Sequence, residues 1–271
     1  MLKRIFGGLL VIIALLVLFI VLAGVMFSGP YSLGMTAHRH GDYADAVKLY
    51  RQAADEGHAA AQFSLGYMYT VGKGVPQDYA EAARWYRLAA DQGKTEAQFN
   101  LAILAAHGQG VPQDDAEAAK WFQMAADQGH VEAQLTTGRM YAIGQGVPQD
   151  YAEAAKWLRL AADQGDLKAL DTLGFMSAEG QGVQQDYAEA AKWYRLAAQR
   201  GSADSQNNLG VLYTNGQGVP QDQVAAHMWF NLAAAHGNEH AVQNRDRAVA
   251  KMSPDQIAEA QRLARDWKPA E

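Results

Sequence analysis

One stretch recurs at a fixed spacing and restricts this chain to very few architectures. Residues 74–93 read GVPQDYAEAARWYRLAADQG, and the same pattern returns at 110, 146, 182 and, more worn, at 218, always 36 residues on. A supersecondary unit repeated at that period cannot bury its own apolar stripe. It does so by stacking on its neighbours, which makes a solenoid with a continuous interior.

Each unit reads as two helices. The first, as in AAAQFSLGYMYTVG (59–72), places Ala61, Leu65, Met68 and Tyr69 on one helical stripe. Gly66 within it recurs as Gly138, Gly174 and Gly210, with Ala102 in the remaining copy, so a second helix can approach closely there. Pro76 ends that segment, and Asp78 is suited to cap the next helix. Glu81 three residues later predicts a capping box, repeated as Asp114/Glu117, Asp150/Glu153 and Asp186/Glu189. In the second helix Ala82, Trp85 and Ala89 line one side, with Tyr86 and Leu88 flanking, and Gly93 supplies a left-handed turn after it. No strand pattern occurs, so the predicted class is all-α, built from 36-residue helix-turn-helix repeats.

The ends differ from the middle. Residues 41–58 match a second helix in register, with Asp42 lying 36 residues before Asp78, and are expected to form an N-terminal half-repeat cap. Five repeats follow over 59–238, and 239–271 read as closing helices and a tail, the last opening on Ser253, Pro254 and Gln256. Residues 28–40 read as a linker.

Residues 5–27 carry no charged side chain, and 23 helical residues at about 1.5 Å each reach roughly 34 Å, enough for a hydrocarbon core. The run is longer than the apolar part of a secretory signal and lacks a small-x-small cleavage site. Residues 1–27 are therefore expected to be a short cytoplasmic start and one transmembrane anchor, with cleaved secretion as the alternative. Lys3 and Arg4 on one flank predict a cytoplasmic N-terminus and exported repeats, which in a bacterium means an inner-membrane protein facing the periplasm.

The net charge of −6 with interleaved signs offers nucleic acid no basic field, and the absence of cysteine removes disulfides, thiolate metal sites and cysteine nucleophiles. The paired glycines at 72/74 and their copies follow helices and lack the third glycine of a dinucleotide loop. His236 and His240 are four apart but Gly237 interrupts them, and His58 and His130 sit where other copies have Lys94, Asp166, Ser202 or Asn238. The tryptophans at 85, 121, 157, 193 and 229 recur beside alanines and read as core. No cofactor, metal, small-molecule substrate or nucleophile–base set is expected.

Leu65, Gly66, Tyr69, Gly72, Gly74, Val75, Asp78, Ala82, Trp85, Tyr86, Ala89, Ala90 and Gly93 together resemble the Sel-one-like repeat (SLR) family, a relative of tetratricopeptide repeats. The resemblance implies a right-handed α-solenoid, without catalysis, that holds protein partners. A cysteine-rich branch linked to β-lactam binding is a poor match for a chain without cysteine.

In such solenoids the first helices line the concave face, and one stripe there varies between copies. It reads Phe63, Tyr67, Val71, then Phe99, Ile103, His107, then Leu135, Arg139, Ile143. It continues as Asp171, Phe175, Glu179 and then Asn207, Val211, Asn215. These residues are the candidate partner-binding set, a groove apolar across three copies and polar or acidic across two; the alternative is that they tune contacts between neighbouring repeats. The expected function is a membrane-anchored scaffold or adaptor for a protein partner. A regulatory or inhibitory subunit of an envelope enzyme, or a binder of cell-wall peptide or glycan, is the alternative.

Overall fold

The computed structural model describes residues 29–270, and these hold fourteen α-helices and no strand. They are α1 (Pro30–His40), α2 (Tyr43–Asp55), α3 (Ala59–Val71), α4 (Tyr79–Asp91), α5 (Thr95–His107), α6 (Asp115–Asp127) and α7 (Val131–Ile143). There follow α8 (Tyr151–Asp163), α9 (Leu167–Glu179), α10 (Tyr187–Gln199), α11 (Ala203–Asn215), α12 (Gln223–Ala235), α13 (Glu239–Val249) and α14 (Pro254–Asp266). The chain is an all-α solenoid with two compact units, one ending at Asp114 and one beginning at Asp115. The anchor expected over 5–27 lies outside the described residues; among those described, no helix is long and apolar enough to cross a membrane.

The linker expected over 28–40 is overturned from Pro30 on. Those residues form α1, which packs against α2, so the expected half-repeat is a complete hairpin. Leu33-Gly34 is the Leu-Gly pair of the other first helices, and a Cβ on Gly34 would lie 2.8 Å from Tyr50 Cδ1. Only eight residues separate Gly34 from Asp42, against twelve from Gly66 to Asp78. The missing four remove the G-x-G-V-P signature, which is why the sequence pattern fails there.

The second helices start as their sequence dictates. The carboxylates of Asp78, Asp150, Asp186 and Asp222 each accept from two amides of the first turn. The boxes expected at Asp78/Glu81, Asp150/Glu153 and Asp186/Glu189 do not close. Glu81 instead accepts from Trp85 Nε1 at 3.2 Å and faces Arg84 at 3.6 Å, because a side chain four residues on competes for it. A full box forms at Ser253 and Gln256 of α14.

Each turn uses its glycine pair for two purposes. Gly72 ends α3 in the left-handed region at φ 68°. Gly74, at φ 73°, lies so close to α2 that a Cβ would stand 2.3 Å from the Tyr43 carbonyl oxygen. The pair seats one repeat on the preceding one.

The interior runs between first and second helices. Tyr86 is its centre, not a flank: it is almost wholly buried and lies on the Cβ-less face of Gly66, while Leu88 is exposed. Burial pushes the Tyr86 hydroxyl up to about 12, and Thr70 donates to it at 3.1 Å. Trp85, Trp157 and Trp229 are buried as expected of core residues, whereas Trp121 and Trp193 are half-buried.

Beneath the apolar pattern lies a polar thread. Gln62 donates to the Ala54 carbonyl at 3.1 Å, and Gln98, Gln134 and Gln206 make the same reach of eight residues to Ala90, Ala126 and Ala198. These bonds occupy carbonyls at the end of the preceding second helix, which have no partner further along that helix. At the end of the second unit, Trp267 lies edge-on to Trp229 with ring centres 6.3 Å apart, and Leu232 is buried beneath it.

Candidate functional site

Each first helix presents its variable stripe at three levels, and the structure separates them. The lowest level, at 63, 99, 135, 171 and 207, turns inward. Leu135 is 6% exposed and Asn207 9%, so neither belongs to a docking surface. Phe63 and Phe99 are half-buried, and the Phe63 ring stands 5.8 Å from that of Tyr86. Asp171 accepts from the Ser202 hydroxyl at 2.9 Å and from the Ser205 hydroxyl, both at the start of α11. Asn207 Oδ1 accepts from Asn244 Nδ2 at 2.9 Å across to α13. In the second unit this level joins repeat to repeat, the alternative reading of the stripe.

The upper two levels face outward. In the first unit Tyr67 is 41% exposed, Val71 and His107 are exposed, and Ile103 is half-buried. In the second unit Ile143 is 66% and Phe175 48% exposed, with Arg139, Glu179 and Asn215 exposed and Val211 half-buried. The surviving candidate surface is therefore these ten residues, taken within each unit.

Where adjacent first helices diverge, the surface opens into crevices, and these are the same crevice repeated. In the first unit one is lined by His38, Tyr50, Phe63, Ser64 and Tyr67. In the second unit one of about 280 Å³ is lined by Phe175, Glu179, Tyr194, Asn208 and Val211. A second of about 210 Å³ lies 36 residues on, lined by Val211, Asn215, Gln223, Phe230, Asn244, Arg247 and Lys251. Beyond the five copies, Arg247 and Lys251 of α13 add a basic end to the groove. Sequence reading missed them because α13 has lost the repeat pattern, and only its 36-residue register identifies the positions.

The other candidates resolve as structural. His58 Nδ1 and His130 Nδ1 each accept, at 3.2 Å, from the backbone amide three residues on, as do the side chains of Asp166, Ser202 and Asn238. The variable inter-repeat position is therefore the cap of the next first helix, and Asp, Ser and Asn there were the available signal. His236 Nδ1 lies 3.1 Å from Gln206 Oε1, and His227 is buried with Nδ1 accepting from Asn231 at 3.1 Å. Among the described residues no three His, Asp or Glu side chains are grouped to hold a metal ion.

The Sel1 repeat family model matches six times, at 31–58, 59–94, 95–130, 131–166, 169–202 and 203–238; the first match is the hairpin that begins at α1. A solved Sel1 repeat protein from Oxalobacter formigenes is 30% identical with a TM-score of 0.75, covering 88% of this chain and all of that one. A protective antigen of uropathogenic Escherichia coli that displays an SLR fold is 35% identical with a TM-score of 0.76; the match covers 88% of this chain and 53% of the antigen. An exopolysaccharide production negative regulator of Rhizobium leguminosarum bv. viciae is 42% identical over 53 residues, which is 18% of this chain and 20% of that protein. With six matched repeats and a relative similar along its whole length, this chain belongs to the Sel1 repeat family.

Proposed function

We propose that the chain is a non-catalytic scaffold whose protein partner docks on the first-helix face. The observation that supports this reading is the contrast between levels of one stripe. The inward level makes contacts within the solenoid, while the outward levels carry Tyr67, Ile143 and Phe175, apolar side chains that the fold does not use. Exposed apolar groups on a rigid frame gain from burial by a partner and lose little ordering entropy on binding.

The tether in this proposal is the apolar segment 5–27, holding the protein in a bacterial inner membrane with the repeats in the periplasm. A chain without cysteine makes this directly testable. Asp55→Cys in intact cells with a permeabilised outer membrane reacts with a membrane-impermeant maleimide, and Lys3→Cys does not. Labelling at Lys3→Cys alone overturns the topology.

The short similarity to the Rhizobium regulators favours, as a second reading, a partner whose activity the bound scaffold restrains. Both readings use the same surface. Tyr67→Glu and Phe175→Glu in the full chain are expected to leave thermal unfolding unchanged and to lose proteins that co-purify from crosslinked cells. Unchanged co-purification sinks the proposal.

A further inference from the structure

The crevice that ends the first-helix face of the second unit differs from its copy one repeat earlier in a way that specifies an occupant. At equivalent positions 36 residues on, Tyr187 is replaced by Gln223, Val211 by Arg247 and Asn215 by Lys251. Two cations thus stand on one crevice of about 210 Å³. Arg247 and Lys251 form no ion pair among the described residues; the neighbouring Asp246 is taken by Arg245 at 2.9 Å. Arg247 lies in the last turn of α13, where the helix dipole favours a base, but Lys251 lies beyond that helix.

Gln223 adds a second, independent demand. Its Oε1 is buried and has no hydrogen-bond partner, while its Nε2 donates to the Thr214 carbonyl at 3.3 Å. That carbonyl already receives Gln221 Nε2 at 2.9 Å, so a Gln223 amide turned toward the crevice would leave Thr214 satisfied. The wall therefore asks for an anion beside an N–H donor. Sulfate or a fully deprotonated phosphoryl group answers the cations but brings no donor for Gln223.

We propose that this crevice receives the free carboxyl terminus of a partner polypeptide. Arg247 and Lys251 pair with the terminal carboxylate, the last peptide N–H donates to Gln223 Oε1, and a small aliphatic terminal side chain lies against Val211 and Ala248. The inference rests on the reading of the first-helix face as the docking surface and names the chemistry of one end of its partner.

The test presents the full-length protein with two random hexapeptide libraries, one ending in free carboxylates and one in amides. The account expects free acids to be retained about tenfold or more over amides, since charge-assisted bonds are at stake. It expects Arg247→Gln with Lys251→Gln to abolish that preference without changing thermal unfolding by more than a few degrees, and Gln223→Tyr to weaken retention of the acids. Equal retention of acids and amides, retention of neither, or a preference that survives the double substitution overturns it. Equal retention that Phe175→Glu abolishes removes the carboxylate pocket alone and leaves the first-helix docking surface standing.

Discussion

Gly174 lies against the ring of Tyr194 so closely that a Cβ added to it would stand 2.5 Å from Tyr194 Cε1. The same contact holds Gly34 on Tyr50, Gly66 on Tyr86 and Gly210 on Phe230, so one small residue sets the spacing between the two helices of a hairpin. A ring pinned inside a close-packed interior has nowhere to go. Gly174→Ala is therefore expected to cost about 1–3 kcal/mol by urea unfolding, despite the higher helix propensity of alanine. An alanine variant as stable as the parent contradicts the packing.

The buried glutamines invite a second substitution series. Gln134 Oε1 accepts from Gln164 Nε2 at 2.8 Å while its own Nε2 reaches Ala126. In the next repeat this register holds Leu170 and Arg200, so an apolar side chain fits when its partner changes too. Ala126 keeps the Gly129 amide at 2.9 Å in either case. Gln134→Leu should then cost about 1 kcal/mol and Gln134→Ala about 2, the difference being the cavity. The reverse order in denaturant midpoints would refute the account.

Asp171 links a repeat junction to pH. Burial raises its carboxyl above the ordinary 3.8, although the Ser205 and Ser202 hydroxyls pull it back. The folded state therefore holds this proton more tightly than the unfolded state. Its contribution is full at low pH and is lost as pH rises from 3.8 through the raised value. Asp171→Asn should remove that decline from a stability–pH curve measured across the carboxylate range. A decline of the same size in the variant excludes Asp171 as its source.

His227 acts in the opposite direction. Burial and the nearby Arg245 lower it below the ordinary 6.5, with Asp246 opposing. Above 6.5 its neutral form costs nothing, and stability is lost as pH falls through the lowered value. Earlier repeats carry alanine at this position, as at Ala191. His227→Ala should flatten the decline between neutral and mildly acid pH in thermal unfolding, and an unchanged slope would exclude His227 as its cause.

The hairpins were legible because their causes are local and repeated: Asp78 caps, Pro76 and the glycine pair turn, and Ala82 and Ala89 leave room for a close neighbour. The reading failed where evidence was distributed. α1 escapes the pattern because its turn is four residues short, and Tyr86 reads as a flanking residue because its partner is the absent side chain of Gly66. Of the outward residues of the candidate stripe, all but the half-buried Ile103 and Val211 are exposed. Leu135 and Asn207 are not, because helical spacing gives a face but not its depth against the next repeat. Arg247 and Lys251 belong to the surface because α13 continues the 36-residue register without its sequence pattern.

The most direct test of the docking face is site-specific photocrosslinking in cells from two sides of the second unit. A crosslinker at Phe175 or Ile143 samples the first helices, and one at Leu160 or Leu196 samples the exposed face of the second helices. The account predicts discrete adducts to a partner protein from 175 and 143, absent from 160 and 196. Adducts confined to 160 and 196 would place binding on the opposite face and contradict it.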